Sequence, residues 1–262
     1  MAWRKYWEMY KTGIKEASAY RLMSVSSFFS TIVYIVLLLA VWTAISKSSD
    51  LVGGLSRVVS YIVLAQVINS SISQGLEKWF GSKIRKGTIV NELKRPVSLL
   101  SQAYLHEIGW QSFDTLLKSV PLLVIGVLFT GLELPPVQNL LAFVVAVVLS
   151  FHLMLVLALS TSMLVFWTKT DGGVRFTRVT IVNFLSGVIF PLYLLPESLR
   201  QIFYVLPFHL LVDGPIQVFL MQKTGTEVLI MFGQQIFWIL VFFGVANLLW
   251  YKAKKKLTVQ GG

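Results

Sequence analysis

The sequence predicts an all-α integral membrane protein with six transmembrane helices. Three observations carry that fold class. Apolar residues make up 55% of the 262 positions and charged residues only 13%, against about 25% charged in a soluble domain. Several uncharged runs are long enough to cross a bilayer, which takes about twenty residues. The 23 basic residues are strongly biased to alternate connections. Cysteine is absent, which excludes disulfide and thiolate-metal chemistry.

Residues 1–21, "MAWRKYWEMYKTGIKEASAYR", are too polar over too long a stretch for a cleavable signal peptide. Trp3, Trp7, Tyr10, Ile14 and Ala17 recur at steps of four and three, lining one face, while Arg4, Lys5, Glu8, Lys11 and Lys15 fall largely elsewhere. That pattern predicts a helix lying in the headgroup region. The spans follow at about 22–46, 56–76, 110–132, 137–168, 178–195 and 228–251. The second is uncharged but polar, with Gln66, Asn69, Ser70 and Ser71. The third has a short apolar core and borrows turns holding Asp114 and Lys118, which can pair at i,i+4. The fourth opens on Pro135 and Pro136, and a basic tail, 252–262, ends the chain.

With the N-terminus cytoplasmic, eighteen basic residues fall inside and four (Lys47, Arg57, Arg200, Lys223) outside, with Lys118 at a boundary. The bias predicts both termini inside and a cell inner (plasma) membrane location. It also assigns the net charge of +11 to topology, so no nucleic-acid partner is expected. The bilayer itself is the first partner.

The inner loop at 77–107, "EKWFGSKIRKGTIVNELKRPVSLLSQAYLHE", is longer than two packed helices require. Gly87 breaks it, Ile89, Val90 and Leu93 form an apolar run, and Ser98 can cap a helix leading into the third span. A structured basic loop with apolar knobs predicts a docking surface.

Between the last two spans stands "FPLYLLPESLRQIFYVLPF" at 190–208, as apolar as a span yet holding three prolines, a Glu and an Arg. Pro191 and Pro196 end one helix and Glu197 and Ser198 open another. Pro207 and the "DGP" at 213–215 turn the chain again. Irregular backbone at membrane depth needs protein or water around it. Residues 190–222 therefore read as an outer re-entrant helical hairpin, with Pro191, Pro196, Glu197, Arg200 and Pro207 as candidate outer-gate residues.

The order of these motifs resembles the ABC-2 type permeases. "YR" ends the first helix, "VWTAI" (41–45) ends the first span, and "GTIVNELKRPVS" (87–98) follows the second. "SGVIFPLYLLPESLRQIFYVLPFHLLVDGPIQVFL" (186–220) precedes the last span. The resemblance covers essentially the whole chain. It implies a connecting helix at 1–21 and a coupling helix within about 83–100, with Lys83, Ile89, Leu93, Lys94, Arg95, Pro96 and Leu99 as the ATPase-coupling residues. It implies two permeases, identical or paralogous, and two ABC ATPase subunits that bind ATP and Mg²⁺, no cofactor being held by this chain. The expected function is export of an amphipathic or hydrophobic substrate by alternating access. Tyr34, Tyr61, Gln66, Asn69 and Asn183 are candidate pathway-lining residues.

The chain has no phosphate loop of its own: "GLEKWFGSK" (75–83) has the wrong glycine spacing and the reversed Ser-Lys ending. The alternative function is an ion-coupled carrier or channel, which would want ionisable groups at mid-membrane. All twelve carboxylates are expected in loops or at span ends, leaving His152 as the one titratable group in mid-span. No serine stands in a hydrolase context, and three histidines at different depths do not suggest haem ligation. The chain is therefore not expected to be an enzyme by itself.

Overall fold

The computed structural model describes residues 2–48, 53–72 and 75–256. Twelve α-helices and two short 3₁₀ segments make up the described chain, with no strand among them. Helix α1 spans Ala2–Ala19 and α2 Arg21–Ser48, joined by a one-residue break at Tyr20. α3 is Gly54–Ser71, α4 Leu76–Arg85, α5 Ile89–Leu93 and α6 Leu99–Thr130. α7 is Val137–Ser162, α8 Val165–Thr168 and α9 Gly172–Leu185. The 3₁₀ segments Leu192–Leu194 and Pro207–Leu211 alternate with α10 (Glu197–Val205) and α11 (Asp213–Phe219) before α12 (Thr226–Lys254).

Five segments are long and apolar enough to cross a membrane: Arg21–Ser48, Gly54–Arg85, Leu99–Thr130, Val137–Thr168 and Thr226–Lys254. The helix expected at 178–195 differs. α9 starts earlier and ends at Leu185 after 14 residues, roughly 21 Å of rise. The physical reason lies at Gly187, whose φ of +92° turns the chain out of the helix. A Cβ there would collide with the Tyr61 hydroxyl, so only glycine fits. The third span starts eleven residues before its predicted bound, because Ser98 caps α6 by accepting a hydrogen bond from the Ser101 N–H at 3.2 Å. That cap takes over the last part of the expected 77–107 loop. The predicted tail is helical as far as Lys254, and residues 257–262 lie outside the described residues.

α1 packs along α6 through two glycines. A Cβ on Gly13 would strike the His106 carbonyl, and one on Gly109 would strike the Tyr10 carbonyl. Ala17 of the aromatic face is fully buried, while Trp3 and Trp7 stay exposed. The face is thus split between the protein and its surroundings.

Two apolar cores stack along α7, the central helix. The first joins Tyr61, Leu64 and Ile68 of α3 to Phe143 and Leu153 of α7, Ile216 and Phe219 of α11 and Met231 of α12. The second joins Leu76 and Phe80 of α4 to Leu100, Leu159, Phe166 and Trp250. The ends they mark are called here the far end (residues 190–222) and the near end (α4, α5 and the start of α6). Helix α2 stands at the edge, held by Phe28, Ile32 and Ile35 against Val63, Val67 and Leu122. None of its most apolar eighteen-residue window is buried in the fold.

Candidate functional site

At the near end, α4, α5 and the turn before α6 form a stiff bracket. Lys83 Nζ donates to Glu92 Oε1 at 2.6 Å, and Arg95 Nη1 lies 3.0 Å from Glu92 Oε2. Gln102 Nε2 donates to the carbonyls of Glu92 and Val97, each at 2.8 Å, pinning the turn to α6. Lys5 Nζ donates to the Pro96 carbonyl at 2.7 Å, which ties α1 to the same turn. Ile89 and Leu99 are buried, whereas Leu93, Lys94, Arg95 and Pro96 project outward. The expected coupling residues thus divide into an anchored pair, a braced Lys83 and an exposed tip.

Behind the bracket lies a polar tie that the sequence did not reveal. Arg178 of α9 reaches Glu77 of α4 with two bonds, Nε to Oε1 at 2.5 Å and Nη2 to Oε2 at 3.0 Å. Thr161 Oγ1 of α7 donates to Glu77 Oε1 at 2.9 Å. Glu77 is fully buried and Arg178 nearly so. A bidentate fork of this kind combines charge with fixed geometry.

A groove of about 1360 Å³ opens between α1–α2 and α3–α4, floored by α6. Gln66 and Asn69, two expected pathway residues, line it beside Ser24, Ser27, Thr31 and Ser70. Gln66 also donates from Nε2 to the Val188 carbonyl at 3.2 Å. Tyr61, Tyr34 and Asn183 are not among its lining residues. Tyr34 is exposed on α2, Asn183 is half-buried on α9, and Tyr61 is buried at the far end.

The far end centres on Asp213, which is fully buried. Tyr61 donates to its Oδ1 at 2.8 Å, Tyr204 donates to Oδ2 at 3.3 Å, and the Gln217 amide donates to Oδ2 as well. The Asp213 N–H donates to the Ser186 carbonyl at 3.1 Å, so one residue links α3, the end of α9, α10 and α11. Burial pushes the Asp213 carboxyl up to about 6, against the pull of its Tyr61 bond and of Lys223. Burial likewise raises the Tyr204 phenol, and it lowers His209 to about 4. Arg57 lies over the Tyr193 ring, 4.5 Å from its centroid.

Among the expected gate residues, Pro191 and Pro207 are buried, while Pro196 and Glu197 are exposed and Arg200 half-exposed. Pro196 precedes α10 and Glu197 opens it, as the prolines implied. Glu197 pairs with Arg200.

Five of the carboxylates, Glu77, Glu92, Glu107, Asp114 and Asp213, are buried within the fold, and Asp114 pairs with Lys118 as its i,i+4 spacing predicts. Asp50 lies outside the described residues. His152 accepts from or donates to the Tyr104 hydroxyl, 2.7 Å from Nδ1, an interhelical bond of the usual membrane kind. No three potential metal ligands gather among the described residues.

Long apolar helices in five segments, a polar groove and a braced loop define the class: a multi-pass membrane protein of the transport type. The chain belongs to the ABC-2 family transporter proteins, whose family model matches residues 31–261. The family's permeases are transport subunits of the membrane, not themselves catalytic, and work with a nucleotide-binding subunit. No curated protein matches the chain significantly.

Proposed function

We propose that this chain is the permease subunit of an ATP-driven exporter that moves an amphipathic or hydrophobic substrate out of the cytoplasm by alternating access. A separate ABC ATPase binds ATP and Mg²⁺, and a second permease, identical or paralogous, completes the pathway. α9 and the irregular 186–195 stretch together make a sixth crossing. The near end is cytoplasmic, as are both termini, and residues 190–222 cap the outer end as a re-entrant gate. The supporting observation is the bracket: an exposed Leu93–Lys94–Arg95–Pro96 tip on a turn fixed from three sides. A rigid arm with an apolar knob suits the transfer of motion from an ATPase to the spans.

The tip is tested by replacing Leu93 or Arg95 with alanine in the permease co-expressed with ABC ATPases. Leu93 is exposed, so the stability of the permease should change by less than about 0.5 kcal/mol. ATPase co-purification or substrate-stimulated turnover should fall. Unchanged association and turnover in both variants sinks the docking assignment.

The buried Asp213 carboxylate favours one second reading, an ion-coupled carrier, because it is an acid shielded within the protein. Transport that persists with ATP depleted and an ion gradient intact would select that reading.

A further inference from the structure

We propose that the groove between α2 and α3–α4 is a binding site for an amphiphile whose phosphate headgroup carries net negative charge. The phosphate sits at the near-end mouth and the uncharged polar part of the ligand against Ser27, Thr31, Gln66 and Asn69. This deepens the exporter reading by naming the substrate class of its groove, and it rests on that reading.

The charges within the groove separate into two groups. The carboxylates are all engaged: Glu92 by Lys83 and Arg95, Asp114 by Lys118, Glu16 by His106. Glu107 has its own partner. Lys15, Lys78 and Lys86 also line the groove, are exposed, and stand in no ion pair among the described residues, although Lys78 also acts through its field on the Asp171 carboxylate that Arg85 holds. The surplus charge at the mouth is therefore positive and built of ammonium groups. These bind phosphate as point charges.

Deeper along the groove the lining changes. Thr31 lies ten residues into α2, roughly 15 Å along its axis. The Thr31 hydroxyl donates to the Ser27 carbonyl at 2.9 Å and the Gln66 amide to the Val188 carbonyl, so what these groups offer the groove is their acceptor oxygens, a lining that suits water or a polar ligand better than hydrocarbon. Tyr20, Trp79 and Trp110 add aromatic surface near the mouth, where an apolar chain or ring can lie. The volume, about 1360 Å³, exceeds the roughly 300–1,000 Å³ of ordinary small-molecule pockets. It leaves room for a headgroup, its hydration and the start of a chain.

The test is native mass spectrometry of the detergent-purified chain with dioleoyl phosphatidic acid, dioleoyl phosphatidylcholine or inorganic phosphate. Phosphatidic acid should be retained over phosphatidylcholine. Lys15→Gln and Lys78→Gln should each weaken retention roughly fivefold, from about 1 kcal/mol per basic residue near anionic lipid. The Ser27→Leu/Thr31→Leu pair should weaken it by occluding the groove. The Lys254→Gln/Lys255→Gln control, on basic residues at the end of α12, should leave it unchanged. Equal retention of the two lipids, or equal loss in the control, overturns the site. Inorganic phosphate that displaces the lipid completely overturns the amphiphile and leaves a free-anion site. Neither ATP nor transport enters this assay, so its failure would leave the permease reading intact. Conversely, lipid bound but never moved in the ATPase-containing complex would count against the exporter alone.

Discussion

The two ends of the molecule solve one physical problem in different ways. Each buries a carboxylate that links several helices. At the near end Glu77 meets a cation, held by both nitrogens of the Arg178 fork, with Thr161 as a third contact. At the far end Asp213 meets neutral donors, Tyr61, Tyr204 and Gln217, and Lys223 acts on it only through its field. An ion pair cannot be opened without stranding a charge. A carboxylate held by neutral donors can instead take up a proton and stay in place. The near tie is thus suited to hold α4, α7 and α9 as one body, and the far tie to let its segment rearrange.

The largest effect should come from breaking the near tie. Arg178→Met leaves Glu77 buried without its partner, and removing one member of a buried pair typically costs about 3–5 kcal/mol. Folded yield and thermal unfolding of the purified permease measure this. The double variant Glu77→Gln/Arg178→Met should recover most of the loss, since no charge is then stranded. A single variant that loses less than about 1 kcal/mol would mean that the pair does not carry the tie.

The far tie should respond to pH instead. Asp213 titrates at about 6 in the fold because burial raises it, against about 3.9 when unfolded. Its folded value is raised, so its contribution to stability is complete below about pH 4 and is lost as pH rises through about 6. His209 opposes it in the same window. Burial lowers it to about 4, so its contribution is present above about pH 6.5 and disappears as pH falls toward 4. The informative quantity is therefore the difference between wild type and Asp213→Asn. On acidifying from pH 7 to 4, wild type should gain up to about 3 kcal/mol relative to the variant. His209→Gln in the wild-type background should expose the Asp213 slope directly. Parallel melting curves for wild type and Asp213→Asn across that range would contradict the assignment.

This difference between the ends also explains what the sequence could and could not convey. Uncharged runs and their caps are local signals, and they located α2, α7 and α12, the Ser98 cap and the restart of the chain after Pro196. The ties join residues 101 positions apart, Glu77 and Arg178, and 152 apart, Tyr61 and Asp213. Periodicity within one helix carries no record of such partners. Glu77 and Arg178 both stand where spans meet the near end, and that shared level was the one available hint. The sequence marks Tyr61 as a candidate pathway residue, but its role depends on the sharp turn at Gly187, whose need for glycine appears only once the Tyr61 hydroxyl is in place. The same turn shortens α9 below the length a hydropathy run suggests.

A smaller effect is expected from Tyr61→Phe. This removes one hydrogen bond to a charged group, worth about 1.5–3 kcal/mol, while the ring keeps its place beside Tyr193. The lost bond stabilises the ionised carboxyl, so its removal should push the Asp213 transition still higher. A melting curve at pH 8 reads the first effect, and the shift of the pH profile reads the second. A stability loss without a shift would show that Tyr61 packs without holding the carboxylate.

Thr161→Val is the matching change at the near end and should be the mildest. The Thr161 hydroxyl has one proton, and the carbonyls of Leu157 and Ala158 compete with Glu77 for it at 3.2 and 3.1 Å. The Arg178 fork still satisfies both carboxylate oxygens once the hydroxyl is gone. The expected loss is about 1 kcal/mol or less, well below that of Tyr61→Phe under the same conditions. If Thr161→Val proved the more damaging, the neutral donor would be a principal support of Glu77, and the contrast between an ion-paired near end and a donor-held far end would fail.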